Sequence, residues 1–331
     1  MYLLLGLSIL LAALLTFNSL ATLLADIAWR FLGRYTRTWP ADMQAGSLFL
    51  LRVIPVAAGL AGLALLVIPA YVAHEPRATN EDVGYKLGIL ALASAAGIGL
   101  AVVRGIASWR ATARLTADWL SQAKQIIVPG VNIPSYQISH QFPVIAIVGI
   151  LRPRLFIATQ IFESLQPEEI SSAILHEVGH LVARDNLKRG LLHVCRNVLL
   201  IIPCGRSLDR DWSEASESAA DEHAAGRGPR VALDLASALV KIARMIPSGA
   251  RPAMPAGVFL VGDEPGGIKS RVKRLVMLAG TPRQRGGWSI RRTLKWTAPL
   301  TLLFVVIFFA SYTSVLATVH TLIEQAVYLL D

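Results

Sequence analysis

Four stretches of this chain run for the thickness of a bilayer without a charged side chain, and they limit its fold more than any other feature. They are Tyr2–Leu24, Val53–Ala73, Leu87–Val103 and Thr297–Val319. A helix needs about 20 mostly apolar residues to cross the hydrocarbon core. The chain is 54% hydrophobic, above the about 45–50% of a soluble domain, and the excess fits four spans. The third stretch, at 17 residues, is the shortest. The first is read as an uncleaved span, because Arg30, Arg34 and Arg37 follow it and no basic residue precedes it. Pro55 and Pro69 are tolerable in a span, where neighbouring groups satisfy the freed backbone.

The charges between the stretches give an orientation. The first connection carries Arg30, Arg34, Arg37 and Arg52 against Asp26 and Asp42. The second carries Glu75, Glu81 and Asp82 against Arg77 and Lys86. From Lys269 to Trp296 there are nine Lys or Arg and no acid. Basic loops stay in the cytoplasm, so both termini are expected outside. The net charge of +10 then reflects juxtamembrane flanks attracted to anionic lipid, and no direct nucleic acid binding is expected. Two cysteines, Cys195 and Cys204, are too few for a disulfide framework.

The expected organisation is three spans in 1–106, one cytoplasmic domain in 107–296, and the fourth span with a short external tail in 297–331. The domain opens on an amphipathic helix, Trp109–Ala123. Two β-branched runs, Pro143–Val148 and Arg154–Ala158, read as strands. The second of these is the strand expected to accept an extended peptide along its edge. Pro167, followed by Glu168 and Glu169, marks a helix start. Further helices are expected over Leu191–Pro203 (buried or interfacial), Asp211–Gly226 and Val231–Ile246.

On the helix that starts at Pro167 lies His176-Glu177-Val178-Gly179-His180. Two histidines four apart share a helix face and can grip one metal ion, with Glu177 reaching a water on it. A catalytic zinc needs a third protein ligand and one open position. Ala183 and Asn186 stand where the metzincin extension has glycine and histidine, which excludes that class. The gluzincin solution is a glutamate from a second helix, and Glu217, 37 residues after His180, can supply it. Asp221 shares its face and can orient a ligand imidazole from behind. Glu214, His193, His223 and Asp185 are the competing ligands.

These residues resemble two related groups of membrane gluzincins that pair HExxH with a downstream ExxAD or ExxCD helix, here Glu217-Ser218-Ala219-Ala220-Asp221. One is the HtpX-like and CAAX-prenyl-protease-like group; the other is the BlaR/MecR-type antirepressor peptidases. Gly149-Ile150-Leu151-Arg152-Pro153-Arg154-Leu155-Phe156-Ile157 and Arg184-Asp185-Asn186 look like the second group. So does the order of three spans, peptidase and fourth span.

The resemblance implies an α-helical integral membrane protein with an inserted α+β gluzincin-type zinc metallopeptidase domain. It would hold one Zn2+ per chain on His176, His180 and Glu217, with Glu177 as general base. It would cleave a cytosolic or membrane-proximal protein, of which a transcriptional repressor is the implied class, from the cell (inner) membrane. The BlaR/MecR sensors continue into a penicillin-binding domain, whereas this sequence stops at Asp331, so antibiotic sensing is not carried over. The HtpX-like group implies instead a quality-control protease. Its His-Pro element is replaced by Asp263-Glu264-Pro265, which leaves the oxyanion donor unassigned. A silent receptor or scaffold is the non-enzymatic alternative.

Overall fold

The computed structural model describes residues 2–36, 38–76, 83–198, 205–246, 265–280 and 313–330. The chain is mostly helical, with a small mixed sheet. Its first half is three long helical rods: α1 (Tyr2–Thr36), a second rod from Ala41 to His74, and α4 (Tyr85–Ser121). The second rod comprises α2 (Ala41–Gly62), a π-helical turn (Leu63–Val67) and α3 (Ile68–His74). The turn sits just ahead of Pro69, whose ring nitrogen cannot join the normal hydrogen-bond ladder.

Each rod contains an 18-residue window of mean hydropathy 2.0 or more, enough to cross a membrane. At most 39% of any of these windows is buried within the protein. Leu3, Val72 and Leu92 are more than 60% exposed, a surface suited to lipid rather than water.

The third expected span, the shortest in sequence, is part of the 37-residue α4. The expected amphipathic helix Trp109–Ala123 is therefore no separate element but the continuation of that rod. Arg104, Arg110 and Arg114 end the apolar run without ending the helix. Of the fourth expected span, 297–312 lies outside the described residues, and its end falls in α11 (Thr313–Leu330), a shorter apolar helix. That helix packs against α3, the π turn and α4.

After α4 come four strands: β1 (Lys124–Ile126), β2 (Ser135–Ile138), β3 (Ile145–Val148) and β4 (Arg154–Ala158). The sheet order is β1-β2-β4-β3, with β2 and β4 parallel and the other pairs antiparallel. The expected strands are β3 and β4, joined by a turn at Gly149. Its φ is +108°, and a Cβ there would lie 2.8 Å from the Arg152 carbonyl oxygen. β4 has a partner on each side, so it is not the free edge the sequence suggested. The edges are β1 and β3.

Beyond the sheet lie α5 (Thr159–Ser164), α6 (Pro167–Ala183), α7 (Asp185–Val198), α8 (Arg206–Ala225), α9 (Pro229–Met245) and α10 (Pro265–Gly280). The helix expected over Leu191–Pro203 begins earlier, at Asp185, and 199–204 lies outside the described residues. One apolar core joins sheet and helices through Phe156, Ile157, Ile174, Leu235, Leu239 and Leu275, all at most 6% exposed.

This unit is tied to the rods by polar contacts. Trp29 Nε1 donates to Asp211 Oδ2 at 2.9 Å, Arg52 Nε to Asp209 Oδ1 at 3.1 Å, and the Ala41 N–H to Glu222 Oε2 at 3.1 Å. Ser207 also donates to Asp26. All four lead from α1 and α2 onto α8.

Candidate metal centre

Helix α6 carries the two histidines. Pro167 is its first residue, and the Glu169 carboxylate reaches back to accept the Gln166 N–H at 2.8 Å. Glutamine is a poor cap by itself, and the returning glutamate satisfies an end N–H that Gln166 would leave open. The helix stops at Arg184, whose φ of 56° is left-handed. That turn starts α7 at once and brings Asp185 back beside His180.

His176 is fully buried and Glu177 is 7% exposed. The Nε2 atoms of His176 and His180 each lie 3.5 Å from a different oxygen of Glu217 on α8. The ligand-capable atoms of the three residues all fall within 4.8 Å of one another. Tetrahedral zinc with bonds near 2.0–2.1 Å separates its ligands by about 3.3 Å. The separations at Glu217 thus suit one zinc ion with little movement.

Behind each imidazole stands a carboxylate. His176 Nδ1 is 2.9 Å from Asp221 Oδ1, and His180 Nδ1 bonds Asp185 Oδ2 at 2.8 Å. Ser216 Oγ donates to the same Asp185 oxygen at 2.7 Å. Such partners fix the ring so that the opposite nitrogen points at a metal, and they raise its basicity. Asp185, a competing ligand by sequence, thus sits behind an imidazole. Of the other competitors, Glu214 is exposed, His193 pairs with Arg196, and His223 packs near Gly179.

Glycine at 179 lets α6 and α8 meet. A Cβ there would be 3.1 Å from Ala220 Cα and 3.1 Å from His223 Cβ. The close approach sets Glu217 opposite the two histidines.

Arg271 was not singled out from the sequence, where it falls in the basic run assigned to a membrane flank. In the structure it is 8% exposed. Its Nε and Nη2 grip Asp221 at 2.9 and 2.7 Å, and Nη1 lies 3.0 Å from Glu217 Oε2. The legible signal was its place on the stripe Ile268–Val272–Leu275–Ala279 that α10 turns to the core.

Glu177 faces the free edge of the sheet. Its Oε2 accepts the Ile147 N–H at 3.2 Å, while Asn186 Nδ2 donates to the Ile147 and Gly149 carbonyls at 2.9 and 3.2 Å. A cleft lined by Ile147, Glu177, His180, Leu181, Asn186, Arg189 and Glu217 opens here.

Charge follows from these contacts. Burial would lower the His176 pKa, but Asp221 and Glu217 outweigh it and hold it at about 9. Burial pushes the Glu177 carboxyl up. Burial would also raise Glu217 and Asp221; their histidine and Arg271 partners instead hold both below the usual carboxylate range. No protein-family model matches the chain, and no curated protein matches it either.

Proposed function

We propose that the chain is a membrane-anchored zinc endopeptidase with its site on the cytoplasmic side. The observation that carries this reading is the placement of both histidine Nε2 atoms 3.5 Å from Glu217, with Glu177 beside them. Two imidazoles and one carboxylate are the ligands of a catalytic gluzincin-type zinc. Zinc held by His176, His180 and Glu217 supplies Lewis-acid activation of a water and of the scissile carbonyl.

The protein's own part is proton transfer and alignment. Glu177 Oε2 is tied to the β3 backbone, which leaves Oε1 to take a proton from the attacking water and pass it to the leaving amine. Asp185 and Asp221 hold the imidazoles in the ligating tautomer. The substrate is a cytosolic or membrane-proximal protein of the regulatory, repressor type.

The docking of α8 supports the proposed cytoplasmic side. This helix carries Glu217 and docks on the basic connection between α1 and α2, which the positive-inside rule keeps in the cytoplasm.

The test is Glu177→Ala in the full chain. It is expected to keep the zinc held on α6 and α8 while the set of cleaved peptide termini in cells changes. Identical termini in wild type and variant would overturn the reading.

A further inference from the structure

The first turn of α8 meets the rods at the point where the second apolar run begins. Arg52 directly precedes the uncharged stretch Val53–Ala73, and its guanidinium lies against Gly205, the cap residue of α8. Gly205 has a φ of +86°, and a Cβ there would stand 3.0 Å from Arg52 Cζ and 3.3 Å from Nη1. Glycine thus leaves the space in which the guanidinium reaches the helix end. Having no side chain, it also offers the first N–H groups of α8 no acceptor.

Arg52 is 1% exposed. Its Nε donates to Asp209 Oδ1 at 3.1 Å, but among the described residues Nη1 and Nη2 have no hydrogen-bond partner. The buried face of α1 carries the same deficit. Asp26 accepts from Ser207 in the first turn of α8, Thr22 lies one turn before Asp26, and Asn18 one turn before that. Thr22 and Asn18 are both 0% exposed, and Thr22 Oγ1, Asn18 Nδ2 and Asn18 Oδ1 are unpartnered among the described residues. Buried polar groups are nearly always paired, so several orphaned ones beside an uncapped helix end mark a binding site.

Charge decides what binds. Asp26 is taken up by Arg30 at 2.9 Å. Asp209 feels Arg196 of α7 as well as Arg52. One carboxylate shared by two arginines, next to the positive end of a 20-residue helix, leaves a surplus of positive charge. Water would satisfy the hydrogen bonds but not the charge, whereas an anion does both. The terminal nitrogens of an arginine form a fork that matches two oxygens of a phosphate. At the boundary of a span, basic pockets between helices are where such phosphates are held.

We infer that the Arg52 fork, the N-terminus of α8 and Thr22 form a binding site for a phosphate oxyanion, carried by an anionic phospholipid or free in solution. Its occupant would bridge α1, α2 and α8, the helix that carries Glu217. The site stands apart from the proposed zinc centre and does not depend on it.

The test uses the full chain, stripped of lipid in detergent, and reads its melting temperature and its retained lipid by native mass spectrometry. The probes are inorganic phosphate, phosphatidylglycerol and the zwitterionic phosphatidylcholine. Wild type is expected to be stabilised by phosphatidylglycerol more than by phosphatidylcholine and to retain one such lipid. Stabilisation by the lipid without any from inorganic phosphate identifies a lipid headgroup; stabilisation by both identifies a pocket also filled from solution. Arg52→Lys keeps the charge but not the fork, and is expected to weaken the response roughly tenfold or more. Thr22→Val is nearly isosteric and guards against misfolding. It is expected to weaken binding several-fold while the melting temperature without ligand is unchanged or higher, because it removes an unpaired buried hydroxyl.

No stabilisation of wild type by phosphatidylglycerol or by inorganic phosphate would overturn the inference. So would a response of the same strength in wild type, Arg52→Lys and Thr22→Val, which would assign it to the general attraction of a basic protein for anions.

Discussion

Asp185 Oδ2 lies 2.8 Å from His180 Nδ1 and takes a second bond from Ser216 Oγ at 2.7 Å. One carboxylate on α7 thus locks a histidine on α6 to the helix that carries Glu217. Asp185→Ala frees the imidazole to rotate and to change tautomer. Zinc affinity at the α6 site is expected to fall by roughly 10–100-fold, read by competition with a chelator. Affinity equal to wild type would show that the contact does not orient His180.

Gly179 sets the approach of α6 to α8. Alanine there gains up to about 1 kcal/mol of helix propensity, but its Cβ would meet Ala220 Cα and His223 Cβ at 3.1 Å. Those are atoms close to the backbone and cannot swing aside. Gly179→Ala is therefore expected to hold its melting temperature better than its affinity for zinc at the proposed site, since a small separation of the helices moves Glu217 off the histidines. Gly179→Val is expected to lose both. Unaltered zinc affinity in Gly179→Val would disprove the steric argument.

The sequence and the structure agree where a single local rule decides. Pro167 with Glu168 and Glu169 announced the start of α6, and helical spacing alone put His176 with His180 and Glu217 with Asp221 on shared faces. The strands β1 and β2 were not legible: Lys124-Gln125-Ile126 and Ser135-Tyr136-Gln137-Ile138 are too short and polar for alternation to register. The length of α4 was hidden because hydropathy marks the lipid-facing run, whereas helix continuity depends on propensity, which arginine satisfies. Arg271 was hidden for a different reason. Its burial depends on Asp221 and Glu217 from another helix, and within its own segment only its place on the apolar stripe of α10 sets it apart from the other cations of the basic run.

That dependence gives Arg271 a measurable role. Removing one partner of a buried ion pair leaves the others uncompensated, at about 3 kcal/mol or more. Arg271→Ala is expected to lower the melting temperature by roughly 6 °C or more, at the 2–4 °C per kcal/mol typical of this size. Arg271→Lys keeps the charge but cannot hold Asp221 with two parallel bonds while reaching Glu217, so an intermediate loss is expected. A melting temperature within a degree of wild type for Arg271→Ala would show that the pair contributes nothing.

Glu169 links the start of α6 to α9. Its carboxylate accepts the Gln166 N–H at 2.8 Å, Ser237 Oγ at 2.6 Å and Lys241 Nζ at 2.7 Å. Burial alone would raise its pKa; the bonds from Lys241, Ser237 and Gln166 outweigh it and hold it below the ordinary 4.5. A depressed carboxylate contributes stability that is fully present above its unfolded pKa and is lost as pH falls through the folded one. Glu169→Gln keeps the shape but not the charge, at about 1–2 kcal/mol near neutral pH, given that Lys241 is partly exposed to solvent. The gap in melting temperature between wild type and Glu169→Gln is expected to stay constant from pH 7 to about 5, then close as pH drops below 4.5. A gap that persists unchanged to pH 3 would mean that the helix start is held by shape and packing rather than by the ionised carboxylate.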